Sequence, residues 1–417
     1  MAIDSTAWLL FVAVLGNQMG RVMIPAIKTS VQVDATMGAE FQEKVGIFLS
    51  GVSIVCLAGK LLGAAVTDKL GGWLVLSLVF VIWLIATLGA MVSTSVDVFG
   101  YMWLLNSFAY TITWGAALQV IGATYTDPVQ KSANLTFTAS ASRFGATIGN
   151  IVFGQLLSAG LSWREVMTPM LPVQAGLLLL CLYNLAAGNK AAPAAATKAG
   201  GKKKADEAPP PSALSAFVTL DFWLMLLPKT VLFTYTQFFM NYIPQLFNTV
   251  YGYDHGMSAT LGGVAQGGSI IGLLVVGDYY KSLAPSSKVK LVFVELVTCA
   301  VTPCILSLGP AVLGQYAVVP LTVVWGLAYA LPFYNPPGEF AMAVGGKSGT
   351  ALFTNVFDAA GFGMSALWNP WASALAKTGD FRTILLSQAA FGALSMLTMP
   401  LCMHRLNTKA AAVKKAD

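Results

Sequence analysis

Three ionised side chains stand deep inside otherwise apolar runs of this 417-residue chain: Arg21, Arg143 and Asp358. Arg21 lies about 14 residues into its run, roughly 21 Å at the helical rise, and Arg143 and Asp358 lie about 9 and 12 residues into theirs. A charge at such depth costs at least about 2.5–3.5 kcal/mol on insertion scales, so it is expected to face a cavity and to serve a function. A guanidinium is a permanent, forked donor matched to carboxylate or phosphate, and two of them point to an anionic solute. The rival reading for Arg21 is a structural pairing with a helix dipole or an acid elsewhere. For Arg143 and Asp358 three readings stay open: binding of a solute and a proton, a salt bridge between the two halves of the chain that opens in a working cycle, or a plain inter-helix contact. A desolvated Asp358 is a candidate proton carrier.

The elements that must hold these residues are helices in a membrane. The chain is 56% hydrophobic and 10% charged, against roughly 25% charged in soluble domains. That composition predicts an all-α polytopic membrane protein. Hydropathy predicts twelve spans, at about 7–27, 44–66, 73–93, 98–123, 134–160 and 165–187, then about 218–247, 258–280, 288–308, 312–334, 346–373 and 382–403. Spans 7 and 11 are long, so tilt or a break is expected there. Between the sixes lies Gly188 to Ser212, rich in Ala, Gly, Pro and Lys with no large apolar side chain; it reads as a solvated linker. The expected organisation is a six-helix bundle over 1–187, a linker over 188–214, a second six-helix bundle over 215–404 and a tail over 405–417. Lysines of the linker (Lys190, Lys198, Lys202, Lys203, Lys204), basic residues of the tail and Lys281, Lys288 and Lys290 contrast with connections that have none. The positive-inside rule therefore makes both termini cytoplasmic. The first span has no basic n-region or cleavage signature before it and is expected to remain as a membrane helix.

Other groups add weaker signals. Lys60 and Lys229 lie about two turns from the cytoplasmic ends of their spans, where snorkelling competes with function. Span 4 carries Tyr110, Trp114 and Gln119, and span 7 carries Tyr235, Gln237, Asn241 and Tyr242; these are candidates to line a hydrated cavity, with packed aromatics as the rival. Glu339, in N-P-P-G-E-F, is expected in the turn beyond span 10 as a surface charge. Asn134 matches a glycosylation pattern but falls on the cytoplasmic side. Glycines are dense in spans 2, 5, 8 and 11, which are expected to pack closely and slide, while spans 3, 9 and 12 are expected to face lipid, with Glu295 in span 9 at odds with that. Spans 5 and 11 share a Phe-Thr step (Phe137-Thr138, Phe353-Thr354), then one charge, then glycines (Gly145 and Gly149, Gly361 and Gly363). Chance aside, a duplicated six-helix unit leaves such a trace. Five scattered cysteines read as small buried hydrophobes, and two distant histidines supply neither a zinc site nor a triad. No phosphate-binding loop is present. Neither enzymatic activity, cofactor nor metal is expected.

The connection after span 2 reads G-K-L-L-G-A-A-V-T-D-K-L-G-G from Gly59. It resembles the cytoplasmic signature of the major facilitator superfamily, G-x-x-x-D-R-x-G-R, with Asp68, Lys69 and Gly71 in register. It departs at Ala64 and Gly72. The equivalent place after span 8 keeps only Asp278. The 6+6 layout with a basic linker supports the same resemblance over the whole chain. Within that superfamily, N-Q-M-G-R with Arg21, and Gly59-Lys60, resemble the organic-anion branches: the organophosphate and sugar-phosphate exchangers and the anion:cation symporters. There the corresponding arginine helps bind phosphate or carboxylate. The second arginine of the exchangers is replaced here by Gln237.

The reading that follows is a monomeric secondary transporter of a small organic anion, by exchange or with a proton. Arg21, Arg143, Lys60, Tyr110, Trp114, Gln237 and Asn241 would bind the solute, Asp358 would couple, and Asp68, Lys69, Gly71 and Asp278 would form the conformational motif. The alternatives are a proton-coupled exporter of apolar or cationic solutes and a non-transporting receptor on the same scaffold.

Overall fold

In the computed structural model, which describes residues 4–125, 127–187 and 213–416, every regular element is helical. The cause is solvation. In hydrocarbon each backbone N–H and C=O needs an internal partner, and a helix supplies it within one segment. The first six helices are α1 Ser5–Val31, α2 Gly38–Leu70, α3 Gly72–Val92, α4 Val96–Thr124, α5 Pro128–Ser158 and α6 Met170–Ala186, the last preceded by a short turn, Trp163–Met167. Then come α7 Leu220–Asn241, α8 His255–Ile271 and α9 Pro285–Leu306. The arms α10 (Val318–Val344) and α11 (350–377) belong to one helical stretch, Val318–Lys377, and α12 is Phe381–Ala416. The chain is a twelve-helix, all-α polytopic membrane protein. Among the described residues, eight of these segments are both long and apolar enough to cross a membrane. The other four, α4, α5, α7 and α11, hold Tyr110, Trp114, Arg143, Gln237, Asn241 and Asp358. Of the expected linker, 188–214, residues 188–212 lie outside the described residues, and Ala213–Ala216 form a short helix.

Several expected boundaries move. Helix α2 starts six residues early, and α7 breaks at Tyr242 before a short helix, Ile243–Thr249. Helix α10 starts at Val318 because Pro310–Leu313 forms a separate turn between Gly309 and Gly314, both at positive φ. The N-P-P-G stretch does not end α10. Pro336 and Pro337 remove two N–H donors, yet the helix runs on through them. Reversal comes later. The rings of Phe340 and Phe357 are 5.8 Å apart, whereas 17 residues of straight helix would separate them by about 25 Å. Thr350 Oγ1 donates to the Ala341 carbonyl across this reversal. Glu339 is thus on the helix, not in a loop.

The chain divides into two compact units, Met1–Ala205 with Tyr253–Gly263, and Asp206–Gly252 with Val264–Asp417. In the first, α1 packs on α5, α2 on α4 and α3 on α6. In the second, α7 packs on α11, the π-turn Gly272–Val276 that continues α8 packs on α10, and α9 packs on α12. The pairings correspond with a shift of six helices. So do details: Phe137 of α5 stacks on Phe11 of α1 at 4.5 Å, and Phe353 of α11 packs on Phe222 of α7 at 6.0 Å. Within the first unit, residues 253–263 lie on α5, where Gly256 and Gly154 bring the backbones together.

Candidate functional site

In the first unit the position of Arg21 follows from how α1 is held. A Cβ on Gly145 would lie 2.4 Å from the Leu15 carbonyl oxygen, and one on Gly149 would lie 3.1 Å from Met19 Cα. Glycine on α5 is what lets α1 come this close. Polar side chains then fix the rotation of α1. Asn17 Nδ2 donates to Thr113 Oγ1 at 2.5 Å, Asn106 Nδ2 donates to the Gly20 carbonyl at 3.3 Å, and Ser142 Oγ donates to Gln18 Oε1 at 3.3 Å. The Arg21 guanidinium carbon consequently sits 3.9 Å from the centre of the Tyr110 ring. Arg21 is half-buried and, among the described residues, has no carboxylate within ion-pair distance. The ring contact contributes about 0.5–2 kcal/mol and holds the guanidinium in place by its face. Lys60 on α2 is half-buried too, and both cations lie within electrostatic reach of the Cys56 thiol. Trp114 is half-buried one turn beyond Tyr110, and Arg143 is half-buried on α5.

In the second unit Gln237 and Asn241 are buried on one face of α7, with Asn241 Nδ2 donating to Gln237 Oε1 at 3.0 Å. Two turns earlier on α7 is Lys229, for which snorkelling and a functional role were both open. Its ammonium does not snorkel to the surface; its side chain is 6% exposed, and Nζ lies 3.6 Å from Asp358 Oδ1. Nζ also donates to the Phe333 carbonyl at 3.2 Å and lies 3.3 Å from the Phe333 ring centre. The acceptor exists because of proline. In a helix the Phe333 oxygen would take the N–H of residue 337, and Pro337 has none. The same rule applies to the Cys299 carbonyl, four residues before Pro303, which lies 3.1 Å from a Tyr235 hydroxyl that also reaches the Gln388 carbonyl at 2.7 Å. A proline four residues after an apolar position was the signal for both, and it becomes informative only once a facing donor is known.

The motif residues sit at turns. Gly71 ends α2 at φ +85°, a conformation that favours glycine, and its N–H bonds to the Thr67 carbonyl. Asp68 and Lys69 are exposed. Asp278 follows the π-turn and pairs with Lys281 at 2.9 Å. Glu339 is tied down rather than free: Tyr280 Oη and Lys288 Nζ donate to it at 2.8 and 2.7 Å. Glu295 is 5% exposed on α9 with neither carboxyl oxygen hydrogen-bonded among the described residues, so this face of α9 meets protein. Asn134 is buried. Four of the five cysteines are buried, with Cys304 exposed and all five reduced. Among the described residues no group of three His, Cys, Asp or Glu side chains could hold a metal ion.

Outside the spans, Asp34 joins the connection between α1 and α2 to that between α5 and α6. Trp163 Nε1 donates to it at 2.8 Å, Arg164 Nη1 lies at 3.5 Å, and the N–H groups of Thr36 and Met37 donate at 2.9 and 3.1 Å. Burial alone would raise its proton affinity. The donors from Thr36, Trp163 and Met37 outweigh burial and hold the carboxyl well below its ordinary range.

The chain resembles several solved transporters across nearly its whole length. The nucleoside transporter NupG is 14% identical with a TM-score of 0.70, covering 96% of this chain and 99% of that one. A D-xylose–proton symporter is 14% identical with a TM-score of 0.70, covering 94% and 96%. A bacterial homolog of the human lysosomal transporter Spinster, inward-facing and unoccupied, is 14% identical with a TM-score of 0.64, covering 97% of each. No curated protein matches in sequence. The sequence pattern of the Major Facilitator Superfamily matches residues 6–362. With that match over most of its length, the chain belongs to the major facilitator superfamily.

Proposed function

We propose that this secondary transporter, working by alternating access, carries a small organic anion, a phosphorylated or carboxylated metabolite, by exchange or with a proton. The observation that supports the solute class is Arg21: a half-buried guanidinium within a membrane helix, placed on the Tyr110 ring with no carboxylate partner among the described residues. An arginine kept at that depth without an acid is matched by an acid on the solute. Lys60, Arg143, Tyr110 and Trp114 in the first unit, and Gln237 and Asn241 in the second, are the proposed further ligands. Asp358 is the proposed coupling residue, and Asp68, Lys69, Gly71 and Asp278 the turns that reset with conformation. The termini are placed in the cytoplasm by the lysine distribution.

A neutral hydroxylated solute, of the kind carried by the nucleoside and D-xylose transporters, is the second reading. The buried Gln237–Asn241 pair favours it, since amides bond hydroxyls without needing charge. Uptake into liposomes holding the purified chain separates the two. The panel is phosphate esters, carboxylates, a nucleoside, a pentose and lipophilic cations, with and without a pH gradient. The anion reading expects uptake of an acid that Arg21→Ala loses; Arg21→Ala at the wild-type rate sinks it.

A further inference from the structure

We infer that Lys229 is a second anion-binding residue, occupied at rest by Asp358, so that the acid group of the solute and Asp358 exchange on one ammonium. The inference rests on the anion reading above and adds a residue and a competition to it. Three features carry it. First, the ammonium is built into the unit rather than left over. Pro337 exposes the Phe333 carbonyl, which accepts from Nζ at 3.2 Å, and the Phe333 ring lies against it. Lys229 therefore stays in place if Asp358 withdraws. Second, the pair is loose. Nζ and Oδ1 are 3.6 Å apart, beyond the roughly 2.7–2.9 Å of a full charge-assisted bond. Third, the two partners differ in access. Asp358 is 23% exposed and Lys229 6%, so Asp358 is the more open member of the pair.

These features suit an exchange of acids better than a permanent brace. A carboxylate or phosphate that reaches Nζ at ordinary bond length interacts more strongly than Asp358 does at 3.6 Å. Gln237, eight residues on, lies about 80° around α7 from Lys229, and Asn241 about 120°. Asp358 is then a built-in competitor, which keeps the ammonium paired when no solute is bound.

The test is counterflow exchange of labelled inorganic phosphate, glycerol 3-phosphate and malate, which needs no coupling step at Asp358, in liposomes holding the full chain. The wild type is compared with Asp358→Asn, Lys229→Gln and the double variant Lys229→Gln/Asp358→Asn. Removing the competitor is expected to lower the half-saturating anion concentration about tenfold, the worth of one charged hydrogen bond. Lys229→Gln is expected to raise it by a similar factor or to lose uptake. The double variant leaves no unpaired acid from this pair, so it guards against misfolding of the single lysine variant, and it should behave as Lys229→Gln does. An Asp358→Asn variant with unchanged or weaker apparent affinity overturns the inference. So does an equal gain from Asp358→Asn in the Lys229→Gln background, since the aspartate would then act elsewhere. If Arg21→Ala loses uptake while these variants leave affinity unchanged, the inference falls and the anion reading stands. If the wild type takes up no anion, both fall.

Discussion

Adding one methyl group at Gly145 tests whether the placement of Arg21 depends on the contact between α1 and α5. The Cβ of Gly145→Ala would sit 2.4 Å from the Leu15 carbonyl oxygen and 2.9 Å from Gln18 Cβ. An ordinary carbon–oxygen contact needs about 3.3 Å, so the helices must part by nearly 1 Å. The nearer atom is main chain, and no rotamer change relieves it. Overpacking of this kind costs about 1–3 kcal/mol, against up to about 1 kcal/mol gained because alanine favours helix over glycine. The net expectation is a loss of about 1–2 kcal/mol, read as a lower thermal midpoint in detergent. Function should fall with it. Arg21 lies one turn from Gln18 on α1, while Tyr110 stays on α4, so a displaced α1 pulls the guanidinium from its ring and weakens anion uptake. Gly176→Ala on α6 is the control. Its Cβ would meet nothing within 4 Å, and the same change there should be neutral or mildly stabilising. If Gly145→Ala unfolds at the same temperature as Gly176→Ala, the close-contact argument is refuted.

Three further outcomes are expected. Asp34→Ala removes the acceptor that joins Trp163, Arg164 and the Thr36–Met37 turn, and should cost about 2–3 kcal/mol near neutral pH. Because the carboxyl of Asp34 is depressed in the folded state, its contribution is fully present above its unfolded value near about 4 and is lost as pH falls through the lower folded one. The gap in thermal midpoint between wild type and variant should therefore be constant from about pH 6 to 8 and narrow only below about 4; a gap that is widest in acid contradicts the sign. Asp221 is 5% exposed and accepts from Arg405 Nε at 2.5 Å and from Lys409, which ties the start of α7 to the end of α12; Asp221→Ala should lower the midpoint by about 2–3 kcal/mol equivalent, and an unchanged midpoint would show the clamp to be idle. Among the described residues Glu295 has no hydrogen-bond partner for either oxygen, so Glu295→Met should raise the midpoint by removing a desolvation cost; a drop would show the carboxyl to be bonded.

The twelve spans, the duplicated halves and the family were legible because the physics behind them is local. A hydrocarbon solvent demands long apolar helices, and a repeat leaves matched steps such as Phe137-Thr138 and Phe353-Thr354. Arg21, Arg143 and Asp358 were visible for the same reason: a charge in an apolar run is anomalous in one dimension. Boundaries set by distant partners were less legible. The N-P-P-G stretch read as a stop, yet the helix runs through it, and Glu339 is held by Tyr280 and Lys288 from residues 51 to 59 positions away. Span 9 read as lipid-facing from its aliphatics except at Glu295, and Glu295 is buried while Phe293, Val294 and Val301 are exposed.

By itself the sequence determined the solvent, the number of helices and which residues are too polar to be there without cause. Those are properties of single segments, decided by transfer free energy over about 20 residues. The tertiary structure decided which polar groups meet. From the sequence Lys229 could equally reach for the membrane surface or serve inside, and packing turned it inward to Asp358 and to a carbonyl that Pro337 left open. Lys229 and Phe333 are 104 positions apart, and a partner at that separation is set by how helices pack rather than by anything local to either.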